Sequence, residues 1–127
     1  MKLALDTNAY RLLMDGAEEA RTLVQQADRV CLPVPVIAEL RYGFLLGTRG
    51  RKNEATLAEF LDEPRVQVLA CDERTTLFYA QLKAQLKQQG TPIPINDVWI
   101  AALALQHQAV LFTRDVDFDH LPQLPRA

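Results

Sequence analysis

Residues 2–13 read KLALDTNAYRLL, and the reading of the fold turns on what happens at Asp6. Leu3, Ala4 and Leu5 make a short apolar run that stops at Asp6, Thr7 and Asn8, after which apolar residues return with helical spacing. A buried strand passing directly into a helix is the repeating unit of a parallel sheet covered by helices. The carboxylate at the strand's end is the part that needs a reason.

The same alternation continues along the chain. A short helix is expected from about 8 to 14 and an amphipathic one from about 18 to 27, followed by a strand in RVCLP, 29–33. The segment PVIAELRYGFLLG has helical apolar spacing, with Pro35 suited to a first turn and Gly47 to a C-cap. A helix near 52–61, a strand in VQVLA and a long helix from 72 to about 88 come next, and Gly90, Pro92 and Pro94 then break the chain. NDVWIAALALQ, 96–106, is helical and almost wholly apolar, so it reads as a buried helix, and AVLFT is one more strand. The tail RDVDFDHLPQLPRA reads as irregular, with only Leu121 to Leu124 left for a short edge strand. The fold class is therefore α/β, and with 127 residues, no repeat and no linker, residues 1–127 read as one domain.

Composition sets further bounds. At 49% hydrophobic and 24% charged residues the chain is ordinary for a soluble globular protein. No stretch approaches the roughly 20 apolar residues of a membrane span, and the N-terminus lacks signal-peptide character, so a cytoplasmic protein is expected. Cys31 and Cys71 sit in apolar segments without metal or redox spacing and are expected to be reduced core residues. The net charge of −2 argues against a phosphate-rich partner. That objection weakens if four acids share one site, because fourteen basic residues then face twelve remaining acids.

Asp6 ends the first strand and Asp115 lies just past the last, which makes both candidates for a crevice at the C-terminal edge of a parallel sheet. Asp97 opens the buried helix. Glu39 lies among Val36, Ile37, Ala38 and Leu40, where an unpaired carboxylate is costly and something must compensate it. Each acid also has a plain structural reading. Asp97 beside Asn96 can be a helix cap, and taken alone the cap is favoured. Asp6 with Asn8 can be turn chemistry, RDVDFD a solvated loop, and Glu39 half of a salt bridge. Together the four leave room to converge, and two carboxylates about 4 Å apart repel by about 4 kcal/mol at a surface-like dielectric. A bound cation removes that repulsion. With oxygen donors only, Mg²⁺ or Mn²⁺ fits better than zinc, and such ions commonly serve phosphodiester hydrolysis.

LDTN at 5–8, AELRYG at 38–43, NDVWIAA at 96–102 and TRDVDF at 113–118, in that order and each carrying its acid, resemble a PIN domain of the VapC type, the toxin ribonucleases of bacterial toxin–antitoxin pairs. The resemblance covers nearly the whole chain. It implies a three-layer α/β/α sandwich with a parallel sheet of about five strands and a Mg²⁺-dependent endoribonuclease in which Mn²⁺ substitutes. It implies a metal site of Asp6, Glu39, Asp97 and Asp115, with Asp117 as substitute fourth ligand, supported by Thr7, Asn8 and Thr113. It also implies a homodimer and a small cognate antitoxin that blocks the site.

Arg11, Arg41, Arg49, Arg51, Lys52 and Arg114 are the basic residues expected to meet RNA or antitoxin, although a run such as 49–52 more often marks a solvated helix end. Gly43, one turn after Glu39, suggests close backbone packing at that point, since a glycine inside a helix costs about 1 kcal/mol relative to alanine. Tyr42, Phe44, Leu45 and Leu46 exceed what one helix face requires and are either core or part of a dimer surface, with at least half of them expected in the core. The competing functional class is a catalytically silent PIN-like module that binds RNA or protein; the complete acidic set weighs against it. A phosphoacceptor receiver domain needs adjacent acids after its first strand and a lysine after its last, which LDTN and FTRD do not supply.

Overall fold

In the computed structural model, which describes residues 1–127, the first strand β1 spans Lys2–Leu5 and α1 begins two residues later, spanning Thr7–Met14. The hinge is Asp6, whose extended backbone carries the N-cap while its Oδ1 accepts from the Ala9 N–H at 2.8 Å. An aspartate at this position satisfies one of the donors that every helix start leaves open. The cap is made without Asn8 and accounts for only one of the two carboxylate oxygens.

The chain continues through α2 (Glu18–Gln26), β2 (Arg29–Pro33), α3 (Val34–Leu46), α4 (Gly50–Leu61), β3 (Val66–Leu69), α5 (Glu73–Gln89), α6 (Ile95–Gln106) and β4 (Val110–Phe112). Helix α3 follows β2 without a loop: Pro33, still extended, is its N-cap, and Pro35 fits the first helical turn. Helix α5 starts on a capping box between Asp72 and Thr75 and ends on Gly90 at φ 70°, the left-handed conformation that glycine adopts without strain.

The four strands are all parallel and ordered β3-β2-β1-β4. Leu3, Ala4 and Leu5 are each fully buried although consecutive strand residues face opposite sides, so helices cover both faces of the sheet. They belong to one core of 30 buried apolar residues that includes Val98, Ile100, Ala101, Ala102, Leu103 and Ala104 of α6. The small alanines let α6 lie close to its neighbours, and Trp99 stacks on Tyr79 of α5 with ring centroids 4.0 Å apart.

Several expectations need correction. The sheet has four strands rather than about five, and the tail adds a single parallel bridge from Leu111 to Arg126 instead of a strand at 121–124. Pro122 and Pro125 have no N–H to donate to a ladder, and Leu121 and Leu124 turn into the core. Residues 116–120, expected to be irregular, form a 3₁₀ turn. Cys31 is buried as expected, whereas Cys71 is exposed at the foot of edge strand β3. Tyr42, Leu45 and Leu46 are 65%, 85% and 71% exposed, leaving Phe44 as the one of the four that packs against the core.

Candidate active site

The strand order reverses direction at β1, which has β2 on one side and β4 on the other. Crevices in open parallel sheets form at such a point, beyond the carboxyl ends of the strands. Leu5 pairs with Phe112, so the residues that follow them, Asp6 and Thr113, emerge side by side, and the Thr113 hydroxyl donates to the second Asp6 oxygen, Oδ2. The same Thr113 oxygen accepts from the Asp115 N–H at 3.0 Å, and Asp115 Oδ1 accepts from the Asp117 N–H at 2.9 Å. This chain of bonds fixes Asp6, Asp115 and Asp117 relative to one another. Asp6 is only 6% exposed.

Glu39 arrives from the middle of α3, half-buried. Its compensation is the hydroxyl of Thr7, which donates to Oε1 at 2.9 Å, rather than a lysine or arginine. Asp97 arrives from the first turn of α6. The cap reading fails for it: the helix begins two residues earlier behind Pro94, and the Asp97 side chain makes no capping bond. It is directed instead into the crevice, a cavity of about 440 Å³ lined by Asp6, Glu39, Asp97, Asp115, Thr7 and Asn8, with Arg11 at its edge. Carboxylate oxygens of Asp97, Asp115 and Asp117 lie within 4.8 Å of one another, a group that includes neither Asp6 nor Glu39. Asn96, read above only as the neighbour of Asp97 in a possible cap, and Ile100 also line the cavity. Ile100 is three residues after Asp97, on the same helical face, and that spacing was the available signal.

The electrostatics record the crowding. Burial, and then repulsion from Asp115, Glu39, Asp117 and Asp6, pushes the Asp97 carboxyl up to about 7. Burial raises Asp6 as well, with Asp115 and Glu39 adding to the shift and the Thr113 hydroxyl and Ala9 N–H opposing it. No cysteine or histidine lines the crevice. An oxygen-only set of crowded carboxylates fits a hard divalent cation and does not fit zinc.

Of the basic residues, only Arg11 borders the crevice. Arg41 pairs with Glu54 at 2.8 Å and Arg114 pairs with Glu19. Arg41, Arg49, Arg51 and Lys52 line a separate open groove of about 1090 Å³ between α3 and α4, together with Phe44 and Leu45.

With this geometry in view, comparisons with known proteins place the chain. The PIN domain profile matches residues 3–124, and the chain belongs to the PIN domain family. Among its relatives, ribonuclease VapC1 of Haemophilus influenzae strain R2866 is 36% identical over 126 residues, covering 94% of this chain and 92% of the relative. Ribonuclease VapC5 of Mycobacterium tuberculosis is 31% identical over 114 residues, covering 90% and 83% respectively. The crystal structure of VapBC-1 from nontypeable Haemophilus influenzae contains a chain that superimposes with a TM-score of 0.88 at 30% identity, covering 100% of this chain and 97% of that one. In DNA-bound VapBC from Salmonella typhimurium the TM-score is also 0.88, at 26% identity and the same coverage.

Proposed function

We propose that residues 1–127 act as a single PIN domain, a metal-dependent endoribonuclease that serves as the toxin of a toxin–antitoxin pair in the cytoplasm. One observation carries this reading: Asp6, Glu39, Asp97 and Asp115, brought from four separate elements, line one crevice at the reversal point of the sheet. The relatives named ribonuclease VapC, and the neighbours solved as VapBC complexes, support the substrate class and the partner.

In this reading Asp6, Glu39, Asp97 and Asp115 would hold Mg²⁺ or Mn²⁺, with Asp117 as substitute fourth ligand. Bound there, the cation supplies Lewis acidity and a water of lowered pKa for phosphodiester hydrolysis. The chain's own residues prepare the site. Thr113 and the α1 N-terminus hold both oxygens of Asp6 in place, and Thr7 orients Glu39. Asn8 borders the crevice as a neutral donor and acceptor. Asp97, whose carboxyl is pushed up to about 7 by burial and the neighbouring acids, would be ionised with a cation held there.

The partner is a small cognate antitoxin, and the toxin is a homodimer. The groove between α3 and α4, with exposed Leu45 beside Arg41, Arg49, Arg51 and Lys52, matches an amphipathic antitoxin segment that carries acidic residues next to its apolar face. From there an antitoxin arginine can enter the crevice, because a guanidinium bonds carboxylates bidentately and neutralises them as a cation does. RNA cleavage by the purified protein with Mg²⁺, with Mn²⁺ and with EDTA tests the nuclease. Co-purification with the neighbouring gene product, followed by light scattering, tests the partner and the dimer. Binding of RNA without cleavage in either metal establishes the silent module instead.

A further inference from the structure

Helices α1 and α3 meet at the crevice in a matched register. Thr7 and Arg11 lie four residues apart on α1, and Glu39 and Gly43 lie four apart on α3, so each pair stacks one turn apart on a single face. Thr7 meets Glu39 through a hydrogen bond. One turn further, Arg11 meets Gly43, and there α3 presents no side chain. A Cβ built at Gly43 would stand 3.2 Å from Arg11 Nη2, so the guanidinium would have to give way by a few tenths of an ångström. The backbone at Gly43 is ordinary right-handed helix, so its conformation does not call for glycine.

The guanidinium held in this gap is not committed elsewhere. The four ion pairs of the chain involve other residues, and the one side-chain bond of Arg11, from Nη1 to Asn8 Oδ1, is a long 3.4 Å. Arg11 borders both the acidic crevice and a smaller adjoining cavity of about 330 Å³ that Gly43 also lines. A cation with donors to spare, set at the lip of a cluster of acids, is placed to take a phosphate that approaches the cluster.

We propose that Gly43 is a notch in α3 that seats Arg11, and that Arg11 in this seat binds a backbone phosphate of the RNA beside the scissile bond. The inference rests on the ribonuclease reading. Arg11 touches the substrate, and Gly43 is a positioning residue that acts through it. A helix-interior glycine kept for this purpose costs helix stability, since alanine is the better helix former.

The test is steady-state cleavage of a mixed-sequence single-stranded RNA in saturating Mg²⁺ by the full chain and its Gly43→Ala, Arg11→Ala, Arg11→Lys and double Gly43→Ala/Arg11→Ala variants, with thermal melts of each. Arg11→Ala should raise KM about tenfold, the loss expected for one charge-assisted contact, and lower the salt dependence of RNA affinity by about one unit of slope. Arg11→Lys should recover part of that loss. Gly43→Ala should raise KM about threefold or more, while its Tm stays level or rises. The double variant should be no worse than Arg11→Ala alone. A wild-type KM in Gly43→Ala, additive losses in the double variant, or a fall in Tm that parallels the loss of activity overturns the notch. A wild-type protein that cleaves no RNA overturns the ribonuclease reading, and the inference with it, and is read in a separate arm of the same experiment.

Discussion

Replacing Asp97 by asparagine is expected to stabilise the metal-free protein above neutral pH while abolishing cleavage. The Asp97 carboxyl moves from an ordinary 3.8 to about 7 in the folded chain. Some three units at about 1.36 kcal/mol each give an upper bound of about 4 kcal/mol against the ionised folded state. Asp97 is only half-buried, so solvent screening brings the working value to about 2 kcal/mol. The sign follows from proton counting. Between about pH 4 and pH 7 the unfolded chain has released this proton and the folded chain has kept it, so the contribution to stability is full below that window, declines through it and levels off above it. The asparagine side chain of the variant cannot ionise, so the variant lacks the decline. For a domain of this size about 2 kcal/mol corresponds to about 6–8 °C in Tm. Thermal melts in EDTA at about pH 5 and about pH 8 therefore measure the effect: the two proteins should differ little at the lower pH and the variant should melt higher at the upper. Added Mg²⁺ should raise the wild-type Tm and leave the variant nearly unmoved, because ligand binding stabilises only a protein that holds the ligand. A variant that melts at or below wild type at about pH 8 without metal refutes the crowding of charge at this site.

Asp6→Asn retains the oxygen that caps α1, so it should keep its fold to within about 1 kcal/mol by thermal melting while losing RNA cleavage; wild-type activity in this variant would remove Asp6 from the proposed site. Thr7→Val removes the only hydroxyl bonded to Glu39 and should weaken Mg²⁺ binding about tenfold by calorimetry, as second-layer partners of metal ligands commonly do. Leu45→Glu should change stability by less than about 0.5 kcal/mol, because Leu45 is 85% exposed, yet should abolish co-purification of the antitoxin; an unchanged complex would show that the groove between α3 and α4 is not its seat.

Local sequence determined the course of the chain. Apolar periodicity and the glycine, proline and aspartate punctuation placed the helices and strands to within a few residues, because these signals act through neighbours along the chain. The same reasoning put Asp6 and Asp115 at strand ends, where the sheet delivers them to one crevice. What remained open depended on contacts distant in sequence. That Asp97 faces the acids and caps nothing follows from where α6 starts behind Pro94 and which side it turns toward the sheet. Thr7 is the partner of Glu39 only because α1 and α3 pack side by side. The outward turn of Tyr42, Leu45 and Leu46 could not be read from hydrophobicity, since a buried face and a face awaiting a partner have the same composition. The gap at Gly43 is likewise invisible in sequence: glycine within a helix signals close approach, and only the matched register of α1 and α3 shows that Arg11 is what approaches it.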